Sequence, residues 1–387
     1  MNAAWSVFWK ELVDALRDRR TLLTVLLSSV AMGPLVLVLI STLVSSIEKR
    51  AEARQVVVAG LANAPTLHNY LLRQTYTVSE APADYERQLD TSKLGDPVVV
   101  VPKDFEADLA KGEMPLVELV SSSANQRAEG SVNRIMNLLL GFNREQAALR
   151  LSLRGVSMGL LQATQVEQRD LANPAARAAR LTAMLPFFVL MAVLYGALNA
   201  ALDSTAGERE RGSLEPLLMN PASRGALVLG KWGAVAAVAM LIALLSSFSF
   251  LPGQWLLRSE TLAATFQYGL PEALAFLALL LPLAGALSAM LMAIAIRCKT
   301  FKEAQASATV IVLVVSLLPM MNMINQDGEK PWHLWLPALA QSTLMNRVLR
   351  GEPITPIEWA QPLLACAFLT VLCLAFVARQ FKRAAVR

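Results

Sequence analysis

Six runs of this 387-residue chain carry no charge or almost none, at residues 21–47, 181–202, 232–257, 273–296, 304–326 and 360–378. Each can supply the ~20 helical residues that a bilayer's hydrocarbon core requires. Backbone polar groups in lipid must be satisfied within the segment, so each run predicts an α-helix. Composition agrees, with 55% hydrophobic and only 17% charged residues, well to the membrane side of a soluble domain. The expected fold class is an α-helical integral membrane protein of six transmembrane helices.

Lysine and arginine in the flanks orient the spans. With the N-terminus inside, the inner segments hold fifteen such residues, from Lys10 to Arg387, and the two short outer loops only Arg258, Lys330, Arg347 and Arg350. Both termini are therefore expected in the cytoplasm, at the inner membrane of the cell. The net charge of +5 reads as topology, and no basic domain points to nucleic acid. Cys298, Cys366 and Cys373 offer neither a disulfide framework nor a CxxC metal pair. The first apolar run is too long for a cleavable signal and follows a charged helix.

In chain order, residues 1–20 read as an interfacial helix, with Trp5, Phe8, Trp9, Leu12 and Leu16 on one face. The first transmembrane helix follows at 21–47, with Gly33-Pro34 a kink near its middle. Residues 48–180 change character and predict an extracytoplasmic α/β domain inserted between the first and second spans. Strands are expected at 55–60, 97–102 and 116–120, with helices at 66–74, 84–89, 105–110 and 125–153. His68, its only histidine, lacks a nearby nucleophile, and no catalytic arrangement is visible. Residues 181–387 then carry spans two to six, with a polar loop at 203–225.

That loop is the most specific stretch. Glu208, Arg209, Glu210 and Arg211 alternate in sign, and Leu214, Leu217 and Leu218 follow at helical spacing in a short amphipathic turn closed by Pro221. Gly207-Glu-Arg-Glu-Arg-Gly-Ser-Leu-Glu-Pro-Leu-Leu218, followed by Asn220-Pro-Ala-Ser-Arg224, resembles the cytoplasmic loop of ABC type-2 exporter permeases. Within that family it is most similar to the permeases of sodium-extruding Nat-type exporters. The resemblance implies a coupling helix docked in a groove of a separate ABC ATPase subunit. Its residues here would be Gly207, Glu208, Arg209, Glu210, Arg211, Gly212, Ser213, Leu214, Glu215, Leu217 and Leu218. It also implies no cofactor in this chain, ATP and magnesium in the partner, and a second permease copy or a homologous permease beside it.

Just beyond, Gly225-Ala-Leu-Val-Leu-Gly-Lys231 imitates part of a phosphate-binding loop. Trp232 stands where Ser or Thr would hold magnesium and no strand precedes it, so Gly230 reads as a helix-packing residue and Lys231 as one snorkelling to the inner surface. Near the C-terminus, Trp332, Trp335 and Trp359 suggest an outer aromatic belt, with residues 334–349 as a helix lying at that surface.

Three functions compete. A proton-coupled secondary transporter would place Asp, Glu or His inside its spans, and none of the six runs does. A membrane-anchored receptor or enzyme would need one span, not six. An ATP-driven exporter permease needs spans, a coupling element and no intramembrane acid, and this is the function expected, moving sodium ions or, alternatively, drugs, lipids or other amphiphiles out of the cytoplasm. Asn199, Asn322 and Asn325 are the candidate pathway oxygens, though each serves equally as a helix-to-helix hydrogen bond.

Overall fold

In a computed structural model of the chain, residues 3–17, 19–52, 54–122, 129–157, 159, 174–213, 223–266, 268–324 and 328–384 are described. The chain divides into two compact units, residues 45–170 and the remainder.

The smaller unit is built on a sheet of order β2-β1-β3-β4. Strand β1 (Gln55–Ala59) is central and parallel to both β2 (Thr77–Glu80) and β3 (Val98–Val100), and β4 (Glu118–Val120) closes the edge antiparallel to β3. The valine runs of β1 and β3 suit strands buried on both faces. Val56, Val58 and Val99 pack on one side with Leu67, Phe105, Ile135 and Phe142, and Val57 and Val98 on the other with Leu89. Strand β2 is absent from the sequence expectation because its Thr-Val-Ser-Glu stretch is only half-buried and shows little apolar pattern. Helices α3 (Pro65–Arg73), α4 (Tyr85–Asp90), α5 (Phe105–Lys111) and α6 (Glu129–Leu153) complete the unit, and Tyr70 donates to the Leu138 carbonyl across it at 3.3 Å.

The larger unit begins with α1 (Ala3–Arg17) and with α2 (Arg19–Glu52), whose residues from Ser45 onward belong to the smaller unit. It resumes with α7 (Pro174–Thr182), which the sequence boundary of 180 had assigned to the inserted domain, and α8 (Leu185–Leu202). Then come α9 (Arg224–Gly253), α10 (Glu260–Thr265), α11 (Leu270–Ala295), α12 (Phe301–Ile324), α13 (Leu339–Arg350) and α14 (Pro356–Ala384). Among the described residues, five helical stretches are long and apolar enough to cross a membrane: Leu185–Glu210, Arg224–Leu256, Leu270–Ala295, Phe301–Met321 and Pro356–Phe381. The expected first span corresponds to α2, where the apolar stretch among described residues is the shorter Val30–Ser46. Gly33 on α2 has a packing reason of its own, because a Cβ there would collide with Ser249 Oγ.

Two expectations are corrected. Helix α13 is not an exposed amphipathic helix: Leu339 through Met345 are all buried, in contact with α7, α8, α11 and α12. Its polar residues make this possible, since Gln341 Oε1 accepts from Ala338 N (2.8 Å) and Thr343 donates to Leu339 O (2.9 Å). The polar loop also begins later than position 203. Helix α8 continues through a π-helical turn, Asp203–Gly207, into Glu208–Glu210.

Ser41, fully buried on α2, accepts hydrogen bonds from the amides of Arg258 (2.5 Å) and Ser259 (2.9 Å). Ser41→Ala leaves both without this acceptor, and thermal unfolding should show a loss of about 1–3 kcal/mol. An unchanged transition would mean that water replaces the hydroxyl.

Candidate functional site

The π-helical turn brings Glu208 inward. Lys231, two turns into α9, is fully buried, and its ammonium donates to Glu208 Oε2 (2.6 Å), Glu11 Oε1 (3.0 Å) and the Ser204 carbonyl (3.0 Å). A lysine has three such donors, so all are used. Lys10 completes the group, 3.2 Å from Glu11 Oε1 and 3.9 Å from Glu208 Oε1. Partial burial works against its charge, but the carboxylates of Glu11, Glu208 and Asp14 outweigh that and hold the amine above its usual range. Two lysines thus balance two buried glutamates, an arrangement that tolerates removal from water only because every charge is paired.

The snorkelling expected of Lys231 is therefore wrong. Glycine at 230 makes the closeness possible, since a Cβ there would lie 2.7 Å from Val7 Cβ and 2.8 Å from the Ala4 carbonyl. Helix α1 seats Val7 and Glu11 against α9 and leaves Trp5, Trp9, Val13 and Leu16 as an exposed apolar stripe. The imitation phosphate loop lies inside α9, where Ser223 caps the helix by accepting from Ala226 N (3.3 Å) and Trp232 Nε1 donates to the Gly285 carbonyl (2.9 Å).

The remaining alternating charges are engaged as well. Arg209 Nη1 donates to the Cys298 carbonyl (3.0 Å), and Glu210 Oε2 accepts from the Phe301 amide (2.7 Å). A carboxylate at the first turn of α12 also opposes the helix dipole favourably. Arg211 pairs with Asp203 at 2.6 Å. The segment is thus tied to α1, α9 and the connection between α11 and α12, while Glu210, Arg211, Gly212 and Ser213 stay exposed. A cavity of about 490 Å³ lies beside it, lined by Lys10, Glu11, Asp14, Asp203, Glu208 and Arg211 among others.

Of the residues singled out from sequence, Gly207 and Glu208 are buried and Arg209 is half-buried. Leu214, Glu215, Leu217 and Leu218 lie outside the described residues. Asn199 is exposed on α8. Asn322 belongs to α12, its side chain outside the description, as is the whole of Asn325. Sequence reasoning missed Glu11, Lys10 and Lys231 as members of the site. A lysine at the mouth of an apolar run and a glutamate on an amphipathic helix were the available signals, with nothing to join positions 220 residues apart.

A family model described as ABC-2 family transporter protein matches residues 5–386. The chain belongs to that family. It is also 29% identical over 361 residues to the ABC transporter permease protein NatB of Bacillus subtilis (strain 168), covering 90% of this chain and 91% of that protein. This ABC-2 family member is a multi-pass membrane protein and the permease subunit of an ABC transporter, a transport component rather than an enzyme. Family membership implies a separate ATPase subunit.

Proposed function

We propose that this ABC-2 permease exports its substrate from the cytoplasm, driven by a separate ATPase subunit that holds ATP and magnesium, with residues 207–218 as the element that ATPase moves. Six spans, α2 being the first, would cross the cytoplasmic (inner) membrane with both termini inside and the α/β unit outside, as the lysine and arginine bias supports. Two copies, or one copy and a homologous permease, would complete the pathway. The substrate favoured by the resemblance of the coupling segment to Nat-type exporters is the sodium ion.

One observation carries the reading. The exposed tip at Glu210–Ser213 is continuous with buried charges that tie α8 to α1 and α9, so displacement of the tip is resisted by three helices together. A loop that merely joined two spans would need no such anchoring. ATPase closure would bias a two-state helical bundle through this linkage.

The test is reconstitution of the permease with its co-purifying ATPase in proteoliposomes. ATP should drive sodium movement that persists when the proton gradient is dissipated. Arg211→Glu is expected to weaken ATPase association by more than about tenfold while leaving permease unfolding within about 0.5 kcal/mol, since its intrachain ion pair is exposed. Full association and full transport in that variant would sink the coupling assignment. Transport that survived ATP depletion and failed with the proton gradient would sink the ATP-driven reading.

A further inference from the structure

The smaller unit holds a cavity of about 770 Å³ between α6 and the chain from α5 to β4, within the ~300–1,000 Å³ usual for small-molecule sites. Its floor is made by Leu67, Phe105 and Phe142, all buried, and its walls include Met114, Leu116, Met136 and Leu140. Those four remain exposed, Met114 at 93% and Leu116 at 73%, on irregular chain that runs from residue 113 to β4. Large apolar side chains around a concavity mark a binding surface more often than a plain exterior. Methionines on two sides let the lining adapt to an occupant.

One polar group gives the cavity a direction. The Arg150 guanidinium is fixed by the carbonyls of Leu109 (3.0 Å), Gly112 (3.1 Å) and Glu113 (3.2 Å). These acceptors are neutral, and among the described residues no carboxylate lies within ion-pair distance of it. Its charge is therefore positioned but not neutralised, with N–H donors to spare. Asn143 and Gln146, which also line the cavity, add neutral polar groups on the same helix. Glu113, the other charged lining residue, is exposed and its charge is solvated, whereas Arg150 is half-buried.

We infer that this cavity binds an anionic single-chain amphiphile, its alkyl tail over Phe105 and Phe142 and its head group at Arg150. A second copy of the chain would present no comparable reason for an unneutralised cation beside an apolar trough. The inference is independent of the exported substrate and of ATP coupling, because it concerns a site formed within residues 67–151 alone.

The test uses the full-length permease in lipid nanodiscs, with two photoreactive probes that share a 16-carbon diazirine tail, one a carboxylate and the other a trimethylammonium. Peptide mapping after illumination should place carboxylate adducts within residues 105–119 and 136–151, and unlabelled hexadecanoate should compete them away. The ammonium probe should label these segments at least about tenfold less. Leu140→Glu, a change at a partly exposed wall position, should abolish these adducts while adducts elsewhere persist. Arg150→Gln should lower them about tenfold, with partial recovery in Arg150→Lys, which separates head-group attraction from loss of the strap to residues 109–113. Equal labelling by both probes, adducts found only elsewhere, or undiminished labelling in Leu140→Glu or Arg150→Gln would overturn the proposal. So would efficient chain-to-chain disulfide formation by Leu116→Cys without carboxylate labelling, which would assign the surface to a second copy.

Discussion

Lys231→Met is expected to destabilise the permease by about 3–5 kcal/mol, because it leaves Glu11 and Glu208 close together without the ammonium that both now share. Lys10 cannot replace it, being half-exposed and 3.9 Å from Glu208. Equilibrium unfolding in detergent should report the loss, and co-purification of the ATPase should fall with it. Removing the whole charge set behaves differently from removing one member: Lys231→Met combined with Glu11→Gln and Glu208→Gln should recover most of the stability, since neutralising a buried ionic group costs far less than orphaning one of its charges. ATP-driven transport should stay impaired in the triple variant if the ion group conveys movement, and return if it serves packing alone. A single Lys231→Met variant as stable as the parent would show that the ammonium is hydrated and that the cluster does not hold α1, α8 and α9 together. For the same reason Glu208 is a poor place to probe ATPase docking, since Glu208→Lys would set two ammonium groups against each other inside the permease.

Alanine at two glycines of one helix should have opposite effects. At Gly225, in the first turn of α9, an added Cβ meets nothing within 4 Å, so Gly225→Ala should stabilise by about 0.4–1 kcal/mol through the unfolded chain. At Gly230 the same methyl would press into Val7 and the Ala4 backbone carbonyl. Backbone cannot rotate aside as a flexible side chain does, so α1 must shift and carry Glu11 away from Lys231. Gly230→Ala should cost about 1–3 kcal/mol as overpacking, and more where the ion group is disturbed with it. Thermal unfolding of the two variants gives the signs. Faster tryptic cleavage at Arg17 in Gly230→Ala, unmatched in Gly225→Ala, would locate the damage at α1. Equal responses would mean that α1 is not packed against α9 at this point.

Much of the helical architecture is legible because hydropathy is a property of each segment by itself. A run such as 273–296 predicts a helix whatever surrounds it, and α11 forms at Leu270–Ala295. The valine strands of the smaller unit are legible for the same reason, and Thr77–Glu80 is not, because its pairing with β1 decides it more than its own side chains do. Helix α13 misled through its flanking tryptophans, which suggested a surface, while its buried Gln341 reaches Cys366 on α14 through a hydrogen bond that pattern cannot show.

What the sequence by itself determined is the class of the protein, the order of its apolar helices and the segment that carries alternating charge beside a family-like motif. Only the tertiary structure decided where those charges go. Burial of an ion depends on a partner, and Glu11, Glu208 and Lys231 become partners through close helix packing at Gly230 and an extra turn at Asp203–Gly207. A single residue's chemistry specifies its cost in a low-dielectric interior, but only the fold can supply the opposite charge within 3 Å that offsets it.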